Sequence, residues 1–372
     1  MSTPSILLRY DDLGPDDARY VQEVLGSGRY HHGPVAGRFE QLAAETCGCS
    51  SGVALSSRAA AAGLIGTWLA GDPGTRGEAP EIIVSPYTST TVVAPFVAAG
   101  FHVVPVDVDP TSLTLDPARV TERISERTRA IVFSHTLGSP VNLPRVAKIA
   151  AGNEIVLIED ATCSLGTQHA GRPAGAWGRL AIVGLGYESP ISAGSGAVVV
   201  TDDTTLAEEL RSRRLGVEAT GIRGAFSGQG LSEIQAAIAL ARLERLEASR
   251  DRRDAIADRY VRGLLRVKGA IVPTMDEKTD MLWSDFHVRL DPTYAEEERN
   301  RVVDSMRAHD VMVETPPPAV FQGDPASRTP IAASLWQRVI RLPMHVALSD
   351  RDIDLVVQWL EVILARENLS RG

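Results

Sequence analysis

The sequence predicts an α/β protein with a doubly wound, mostly parallel sheet and a smaller C-terminal α+β domain. Between residues 50 and 200, short apolar runs alternate with helical segments, as in "EIIVSPY" followed by "TTVVAPFVAAG". The runs are continuous in Val, Ile and Leu, which is typical of parallel strands covered by helices on both faces. From about residue 270 the order changes to segments such as "DFHVRLD" and "AEEERNRVVDSMRAHD". The alternation and the later change together indicate two domains.

The predicted elements begin with two amphipathic helices, at residues 11–26 and 36–47. A short strand, "GVALSS", then leads into a helix that Ser56 or Ser57 caps at its N-terminus. Four further apolar strands continue the strand–helix alternation, at residues 81–87, 102–109, 129–138 and 155–162.

Two domains follow from this order of elements. We expect the large α/β domain, with its N-terminal helices, to span residues 1–245. The segment "SEIQAAIALARLERLEASRDRRDAIADRYVRGLL" has the composition of a long helix that connects the two units. Residues 246–372 are expected to hold the connector helix and the small α+β domain.

Length and charge restrict the function classes. The chain has 372 residues, a formal net charge of −9 and 44% hydrophobic residues, which is enough for a sizeable core. The negative balance argues against a nucleic-acid partner, which would require a basic face. No run approaches the roughly 18–20 apolar residues of a membrane span, and the first residues lack a signal-peptide pattern. Three cysteines do not make a disulfide framework, so we expect a cytoplasmic protein.

Polar residues follow the ends of several predicted strands. His135 ends "IVFSH", Asp160 ends "IVLIED" and Tyr87 ends "IIVSPY". Ligands bind open α/β sheets at the carboxyl ends of the strands, so we expect these side chains to converge on one cleft. His135 is either a general acid or base or a structural histidine. Asp160 either orients His135, binds a substrate hydroxyl or caps backbone groups.

A Gly/Ser-rich turn, "GLGYESPISAGSG", adds further polar groups to the expected cleft. Tyr187, Glu188 and Ser189 lie on this turn. Glu188 either acts as a base or faces water. Cys163, close to Asp160 in sequence, is either a nucleophile paired with histidine or a small buried thiol.

The order and spacing of several segments resemble the DegT/DnrJ/EryC1/StrS family of sugar aminotransferases, which have the type I fold of pyridoxal phosphate (PLP) enzymes. The matching segments include "GPVAGRFEQLAAETCG", "IEDATCSLGTQHAGRPAGAWG", "GSGAVVVTDD" and "RLPMHVALSDRDIDLVVQWL". The resemblance implies a type I aminotransferase-like large domain and a homodimer with sites at the subunit boundary. A heterodimer with an active aminotransferase is the alternative assembly.

The resemblance also assigns cofactor positions, and most of them differ here. The position of the family's Schiff-base lysine corresponds to Ser189, and a hydroxyl cannot form an imine. The chain has three lysines, at positions 148, 268 and 278, and we expect none of them in the cleft. The family's ring-stacking aromatic corresponds to Ser89, and Cys163 replaces a polar residue. Asp160, the partner of the pyridinium nitrogen, remains.

Arg58 stands where the resemblance implies part of a phosphate-binding Gly-Thr pair at a helix N-terminus. It either holds a phosphate or carboxylate bidentately, or it fills the vacated cofactor space and pairs with Asp160. Each lost phosphate contact is worth roughly 1–3 kcal/mol as a charge-assisted hydrogen bond. We therefore expect no bound cofactor. As a separate expectation, the sequence predicts no metal site.

The function predicted from these residues is that of a PLP-independent enzyme on a sugar-aminotransferase scaffold. It would not be a functional aminotransferase but a lyase, isomerase or cyclase of secondary-metabolite biosynthesis. The reaction would be a cyclisation, elimination, isomerisation or condensation of a small-molecule intermediate. The expected proton-transferring residues are His135, Asp160 and Glu188, and Arg58 would hold an anionic or carbonyl oxygen.

The expected substrate contacts come from Tyr87, Ser89, Tyr187, Ser189 and Cys163. Two alternative functions remain open at this point. The chain is either a catalytically silent partner subunit or a residual PLP enzyme, resembling a dehydratase, that binds the cofactor non-covalently and acts on a nucleotide sugar.

Overall fold

The computed structural model describes residues 6–10, 14–31, 33–71, 79–215, 228–274, 276–316 and 329–370. The α-helices are α1 (Pro15–Ser27), α2 (Pro34–Thr46), α3 (Arg58–Ala70), α4 (Thr90–Ala98), α5 (Pro117–Arg123), α6 (Leu143–Gly152), α7 (Thr204–Leu215), α8 (Glu233–Glu244), α9 (Arg250–Leu264), α10 (Glu296–Ala308), α11 (Pro330–Trp336) and α12 (Asp350–Ser370).

The strands are β1 (Ser51–Leu55), β2 (Glu81–Val84), β3 (His102–Pro105), β4 (Thr128–Ser134), β5 (Val156–Asp160), β6 (Gln168–His169), β7 (Arg172–Pro173), β8 (Leu180–Gly184), β9 (Ala197–Thr201), β10 (Ala270–Ile271), β11 (Thr279–Asp280), β12 (Phe286–Leu290) and β13 (Val339–Leu342).

The large sheet confirms the predicted fold class. Its seven strands are ordered β1-β9-β8-β5-β4-β2-β3. Strands β3, β2, β4, β5 and β8 pair in parallel, whereas β9 pairs antiparallel with both β8 and β1. Strands β2, β4, β5 and β8 are almost wholly buried, as their continuous apolar runs predict, whereas the edge strand β3 is only partly buried.

Helices cover both faces of this sheet. On β8 and β9, Val183 and Val198 belong to one buried cluster with Leu240 of α8. Their neighbours Ile182 and Val199 belong to another cluster, with Leu64 and Ile65 of α3 among its members. Because successive strand residues point to opposite faces, alternate residues feed two separate cores. The sheet is therefore doubly wound.

The C-terminal part forms a second core around a three-stranded antiparallel sheet, ordered β10-β12-β13. Helices α9, α10 and α12 pack on it, and Tyr260, Phe286 and Leu360 are completely buried in its centre. Ile6 adds the beginning of the described chain to this core through a bridge to Val311. The expected domain division after residue 245 stays a prediction.

The long connector helix predicted from the sequence is interrupted. Helix α8 ends at Glu244, a 3₁₀ turn spans Glu247–Ser249, and α9 begins at Arg250. Among the helices that the structure describes, none is long and apolar enough to cross a membrane.

Candidate active site

A cavity of about 80 Å³ lies where β2, β4 and β5 end, and we name it the strand-end cavity. Its lining includes seven of the residues predicted from the sequence, namely Arg58, Tyr87, Ser89, His135, Asp160, Cys163 and Glu188. Parallel strands bring their carboxyl ends to one edge of a sheet, so β4 and β5 deliver His135 and Asp160 together. The structure therefore assembles most of the predicted site in one place.

Asp160, the last residue of β5, is 7% exposed, and its side chain contacts Thr162 and Arg58. Its Oδ1 accepts a hydrogen bond of 2.7 Å from the Thr162 hydroxyl. Its Oδ2 lies 3.7 Å from Nη1 of Arg58. A buried carboxylate requires compensation of its charge, and Arg58 supplies it.

Arg58 is the first residue of α3, whose N-cap Ser57 accepts a hydrogen bond from the Ala60 amide. The Arg58 guanidinium donates to Thr91 Oγ1 at 2.9 Å and to Ser89 Oγ at 2.7 Å. Its Nη1 lies 3.0 Å from Glu188 Oε2.

Each of the three guanidinium nitrogens of Arg58 therefore has a polar partner. Burial opposes its charge, but the carboxylates of Asp160 and Glu188 outweigh burial and raise the pKa of Arg58. Of the two roles left open for Arg58, the geometry matches the one in which it pairs with Asp160.

Gly184, at the end of β8, makes room for this arrangement. A Cβ atom added there would lie 3.1 Å from Thr162 Oγ1 and 3.2 Å from Arg58 Cδ. Both distances are tighter than ordinary contacts, so a larger residue would force one neighbour to move. Arg58 can therefore take its position only because residue 184 has no side chain.

His135 has a different partner from the one predicted. Its Nε2 lies 3.0 Å from Glu159 Oε2, and both side chains are fully buried. The Glu159 carboxylate also accepts hydrogen bonds from the backbone amides of Gly175, Trp177 and Gly178, at 2.8, 2.6 and 2.7 Å. Asp160 contacts His135 through its backbone carbonyl only, which accepts from the His135 amide.

The expectation that the Asp160 side chain orients His135 is therefore wrong, because adjacent strand residues point to opposite faces. Glu159 was missed, although its place beside Asp160 in "IVLIED" shows that its side chain must lie on the other face. The Nδ1 atom of His135 is buried without a hydrogen-bond partner among the described residues.

Cys163 and Tyr87 line the cavity, but the thiol of Cys163 is protonated and the side chain of Tyr87 is held by contacts with α11. Burial, followed by the carboxylate of Glu188, raises the pKa of the Cys163 thiol to about 12. The thiol is protonated at neutral pH, which argues against a nucleophile, since the thiolate is the reactive form. The Tyr87 hydroxyl donates to the Ala332 carbonyl at 2.6 Å, and the ring stacks on Trp336. Tyr87 thus fixes α11 against the cavity.

Two predicted substrate contacts lie elsewhere. Tyr187 and Ser189 line a second cavity of about 360 Å³, on the other side of the turn that follows β8. Ser189 is buried, and its hydroxyl accepts a hydrogen bond from the Ile191 amide. The expectation of a single cleft is therefore wrong, because Glu188 faces one cavity while its two neighbours face the other.

Sequence reasoning also missed an ion pair at the rim of the strand-end cavity. Arg341 and Asp285 both line it, and the Arg341 Nε donates to Asp285 Oδ2 at 2.8 Å. The charge of Asp285 raises the pKa of Arg341 against the effect of burial. An arginine inside the apolar strand "VIRL" was the available signal, since such a residue requires a buried partner.

PLP, which the resemblance implies, can be tested against these residues. Asp160 is the carboxylate that would face a pyridinium nitrogen, but Arg58 holds it. The cations among the described lining residues are Arg58 and Arg341, and no lysine is present there. Lys148 lies on α6, and Lys268 and Lys278 lie on either side of β10. The described cavity therefore does not fit PLP joined to a lysine of this chain.

Comparison with known proteins places the chain among aminotransferases. The model of the DegT/DnrJ/EryC1/StrS aminotransferase family matches residues 11–361. The chain is 30% identical over 367 residues to a dTDP-3-amino-3,4,6-trideoxy-alpha-D-glucose transaminase from Streptomyces venezuelae, covering 95% of this chain and 94% of that one. It is also 30% identical over 365 residues to the erythromycin biosynthesis sensory transduction protein EryC1 from Saccharopolyspora erythraea, covering 95% and 96%.

Among solved structures, the aminotransferase TlmJ from Streptoalloteichus hindustanus superimposes with a TM-score of 0.87 at 25% identity, over 97% of this chain and 99% of that one. DesV from S. venezuelae superimposes with a TM-score of 0.81 at 28% identity, over 93% of both chains. The predicted type I aminotransferase-like architecture is confirmed.

These relatives contradict the function predicted from the sequence. A PLP-independent enzyme that is not a functional aminotransferase conflicts with whole-chain similarity to a named sugar transaminase. The expectation of a missing catalytic lysine conflicts with the same finding, and the relatives' names favour neither a silent partner subunit nor a dehydratase. The absence of lysine from the described cavity lining is a property of this chain that the relatives' names do not explain.

Proposed function

Since this chain belongs to the DegT/DnrJ/EryC1/StrS aminotransferase family, we propose that it acts on a sugar-type small molecule and that its reaction is amino-group transfer. The observation that carries the proposal is the 30% identity to a dTDP-amino-sugar transaminase over 95% of this chain. The family model spans residues 11–361, which include every described residue that lines the strand-end cavity. The substrate class of the relative is thus the first candidate for this chain.

The lining of the strand-end cavity suits a hydroxyl-rich ligand. Glu188 is partly exposed at the cavity and offers carboxylate oxygens to sugar hydroxyls. Arg341 offers N–H donors beside it, and Ser89 offers a hydroxyl that acts as donor and acceptor. In this proposal the three side chains bind and orient the sugar ring.

Substrate entry requires the cavity to enlarge. Small-molecule sites usually measure roughly 300–1,000 Å³, whereas this cavity measures about 80 Å³. Arg58 occupies the space between Glu188 and Asp160, so its displacement is the direct way to admit a ring. We therefore propose that the Arg58–Glu188 pair separates when the substrate binds.

The experiment that tests the proposal is a direct assay of amino-group transfer. Purified protein is incubated with added PLP, dTDP-3-amino-3,4,6-trideoxyglucose and an α-keto acid as amino acceptor. The keto-sugar and the new amino acid are then quantified by mass spectrometry. We expect turnover by the natural protein and none by Asp160→Asn, with Glu208→Gln, a change at an exposed residue of α7, as control. Absence of both products over a wide range of PLP concentration would contradict the proposal.

We further propose a cytoplasmic homodimer. Tyr10 and Tyr187 each expose about half of their surface beside one cavity, and exposed aromatic residues are common at interfaces. The three cysteines are free thiols, which suits a reducing compartment. Light scattering coupled to size exclusion should give the mass of two chains. A monomer at micromolar concentration would contradict the dimer.

A further inference from the structure

The second cavity, of about 360 Å³, is lined by five arginines, and we name it the arginine cleft. These residues come from three separate parts of the chain and are Arg9, Arg242, Arg245, Arg252 and Arg253. Tyr10, Tyr187 and His345 complete much of the remaining wall. In a protein with a net charge of −9, so many cations around one cavity require an explanation.

The cleft arginines share the carboxylates that pair with them. Asp17 contacts both Arg242 and Arg245. Two further carboxylates each pair with one arginine inside the cleft and one outside it. Asp285 pairs with Arg9 inside the cleft and with Arg341 outside it. Asp350 pairs with Arg252 inside the cleft and with Arg259 outside it. Within the described residues, these three carboxylates form ion pairs with four of the five cleft arginines.

Arg253 is the cleft cation whose charge has the least compensation. It is 8% exposed, and it has no carboxylate partner within the described residues. Its Nη1 donates to the Trp283 carbonyl at 2.7 Å, and its Nε donates to the Ser249 hydroxyl at 3.1 Å. Neutral acceptors satisfy hydrogen bonds but leave the charge of a buried cation uncompensated.

The pKa of Arg253 and the hydrogen bonding of Arg9 also favour an anionic ligand in the cleft. Burial, with the positive charge of Arg9 as a second cause, lowers the pKa of Arg253 to about 10. The guanidinium is still protonated at neutral pH but is destabilised. In addition, Nε of Arg9 is buried without a hydrogen-bond partner among the described groups. An anion in the cleft would relieve both conditions.

We propose that the arginine cleft binds the phosphoryl group of a small ligand, at a site separate from the strand-end cavity. Guanidinium groups match phosphate oxygens bidentately. The buried Arg253, which has no carboxylate partner among the described residues, favours an anionic ligand. The cleft volume of about 360 Å³ lies within the range of small-molecule sites. This inference does not depend on amino-group transfer.

The phosphoryl group has two sources with the same chemistry, inorganic pyrophosphate and a nucleoside diphosphate. Calorimetric titration of the full-length protein with inorganic pyrophosphate, at constant ionic strength, tests the site itself. We expect saturable binding of one pyrophosphate per chain. Displacement of pyrophosphate by dTDP would identify the nucleotide as a ligand of the same cleft, whereas binding of pyrophosphate without displacement would identify the inorganic anion.

Two variants test the location of binding. Arg252→Gln removes a partly exposed cleft arginine, and Arg253→Gln removes the buried one; each should weaken binding at least tenfold. Arg301→Gln, an exposed arginine paired with Glu367 outside the cleft, should leave binding unchanged. If Arg253→Gln fails to fold by circular dichroism, Arg252→Gln and Arg245→Gln carry the test.

Two results would overturn the proposal. One is the absence of saturable binding beyond that of sulfate at the same ionic strength. The other is binding that survives Arg252→Gln and Arg245→Gln but is lost in Arg58→Met, because that pattern would place the anion in the strand-end cavity.

Discussion

Nη1 of Arg58 lies 3.0 Å from Oε2 of Glu188, which ties the first residue of α3 to the turn after β8. The same nitrogen lies 3.7 Å from Asp160 at the end of β5. One guanidinium therefore connects three elements that meet at the carboxyl edge of the sheet. Access to the strand-end cavity depends on this connection, and so does the charge balance around Asp160.

Removal of the Arg58 charge should destabilise the fold. Arg58→Met keeps most of the aliphatic stem but leaves the buried Asp160 carboxylate without its cation. Breaking such a buried pair costs about 3 kcal/mol of the free energy of unfolding, which urea denaturation measures. Arg58→Met combined with Asp160→Asn should recover much of the loss. A single variant as stable as the natural protein would show that the pair contributes nothing.

A side chain at position 184 should be tolerated poorly. Gly184→Ser places a Cβ 3.1 Å from Thr162 Oγ1 and 3.2 Å from Arg58 Cδ, and such overpacking costs roughly 1–3 kcal/mol. Gly186→Ser is the matched control, since a Cβ there would have no neighbour within 4 Å. Thermal unfolding of both variants separates crowding from the general effect of replacing glycine. Equal melting temperatures would contradict the spatial link to Arg58.

Mutation of Glu159 should lower the free energy of unfolding by more than the loss of its contact with His135, because three backbone amides also donate to its carboxylate. Glu159→Gln replaces one carboxylate oxygen by an NH₂ group that faces backbone N–H donors. Leaving buried donors unsatisfied costs about 1–3 kcal/mol each. We expect a loss of about 3 kcal/mol in urea denaturation, and a negligible loss for exposed Glu208→Gln. A fully stable Glu159→Gln variant without activity would instead assign Glu159 to the chemistry.

The three thiols should resist alkylation in the folded protein at neutral pH. Burial raises the pKa of Cys163 and of Cys49 to about 12, and that of Cys47 well above its ordinary value. Iodoacetamide reacts with the thiolate, so mass spectrometry should detect little modification at pH 7.5 and three modified cysteines in urea. Rapid labelling of folded Cys163 would restore its candidacy as a nucleophile.

The same shifts predict a dependence of stability on pH. The unfolded thiols ionise near their ordinary pKa, whereas the folded thiols stay protonated until a higher pH. Their contribution is therefore fully present below the ordinary thiol pKa and decreases as pH rises above it. Replacing Cys49 with Ser should reduce this alkaline decrease in the free energy of unfolding. An unchanged alkaline profile in that variant would contradict the shift at Cys49.

The ends of strands were predictable because apolar runs have clear limits in the sequence. The buried strands β4 and β5 end at Ser134 and Asp160, so His135 and Asp160 were correctly expected at one edge. The α3 cap was also predictable, since Ser57 precedes an apolar helical segment. The interruption between α8 and α9 was not, because both halves have helical composition and the turn depends on packing.

Side-chain direction and partner choice required the folded chain. Local sequence placed Glu159 beside Asp160 but did not reveal that backbone amides from residues 175–178 converge on its carboxylate. Nor did it reveal that Arg58 reaches Glu188, 130 positions later in the chain.

The sequence by itself determined the doubly wound sheet, the capped start of α3 and the set of polar residues at the strand ends, because these depend on local periodicity and composition. Only the tertiary structure decided that Arg58 closes onto Asp160 and Glu188. It also decided that the turn after β8 separates two cavities. Both outcomes depend on contacts between residues far apart in the chain, which burial and charge pairing select only when the elements have packed together.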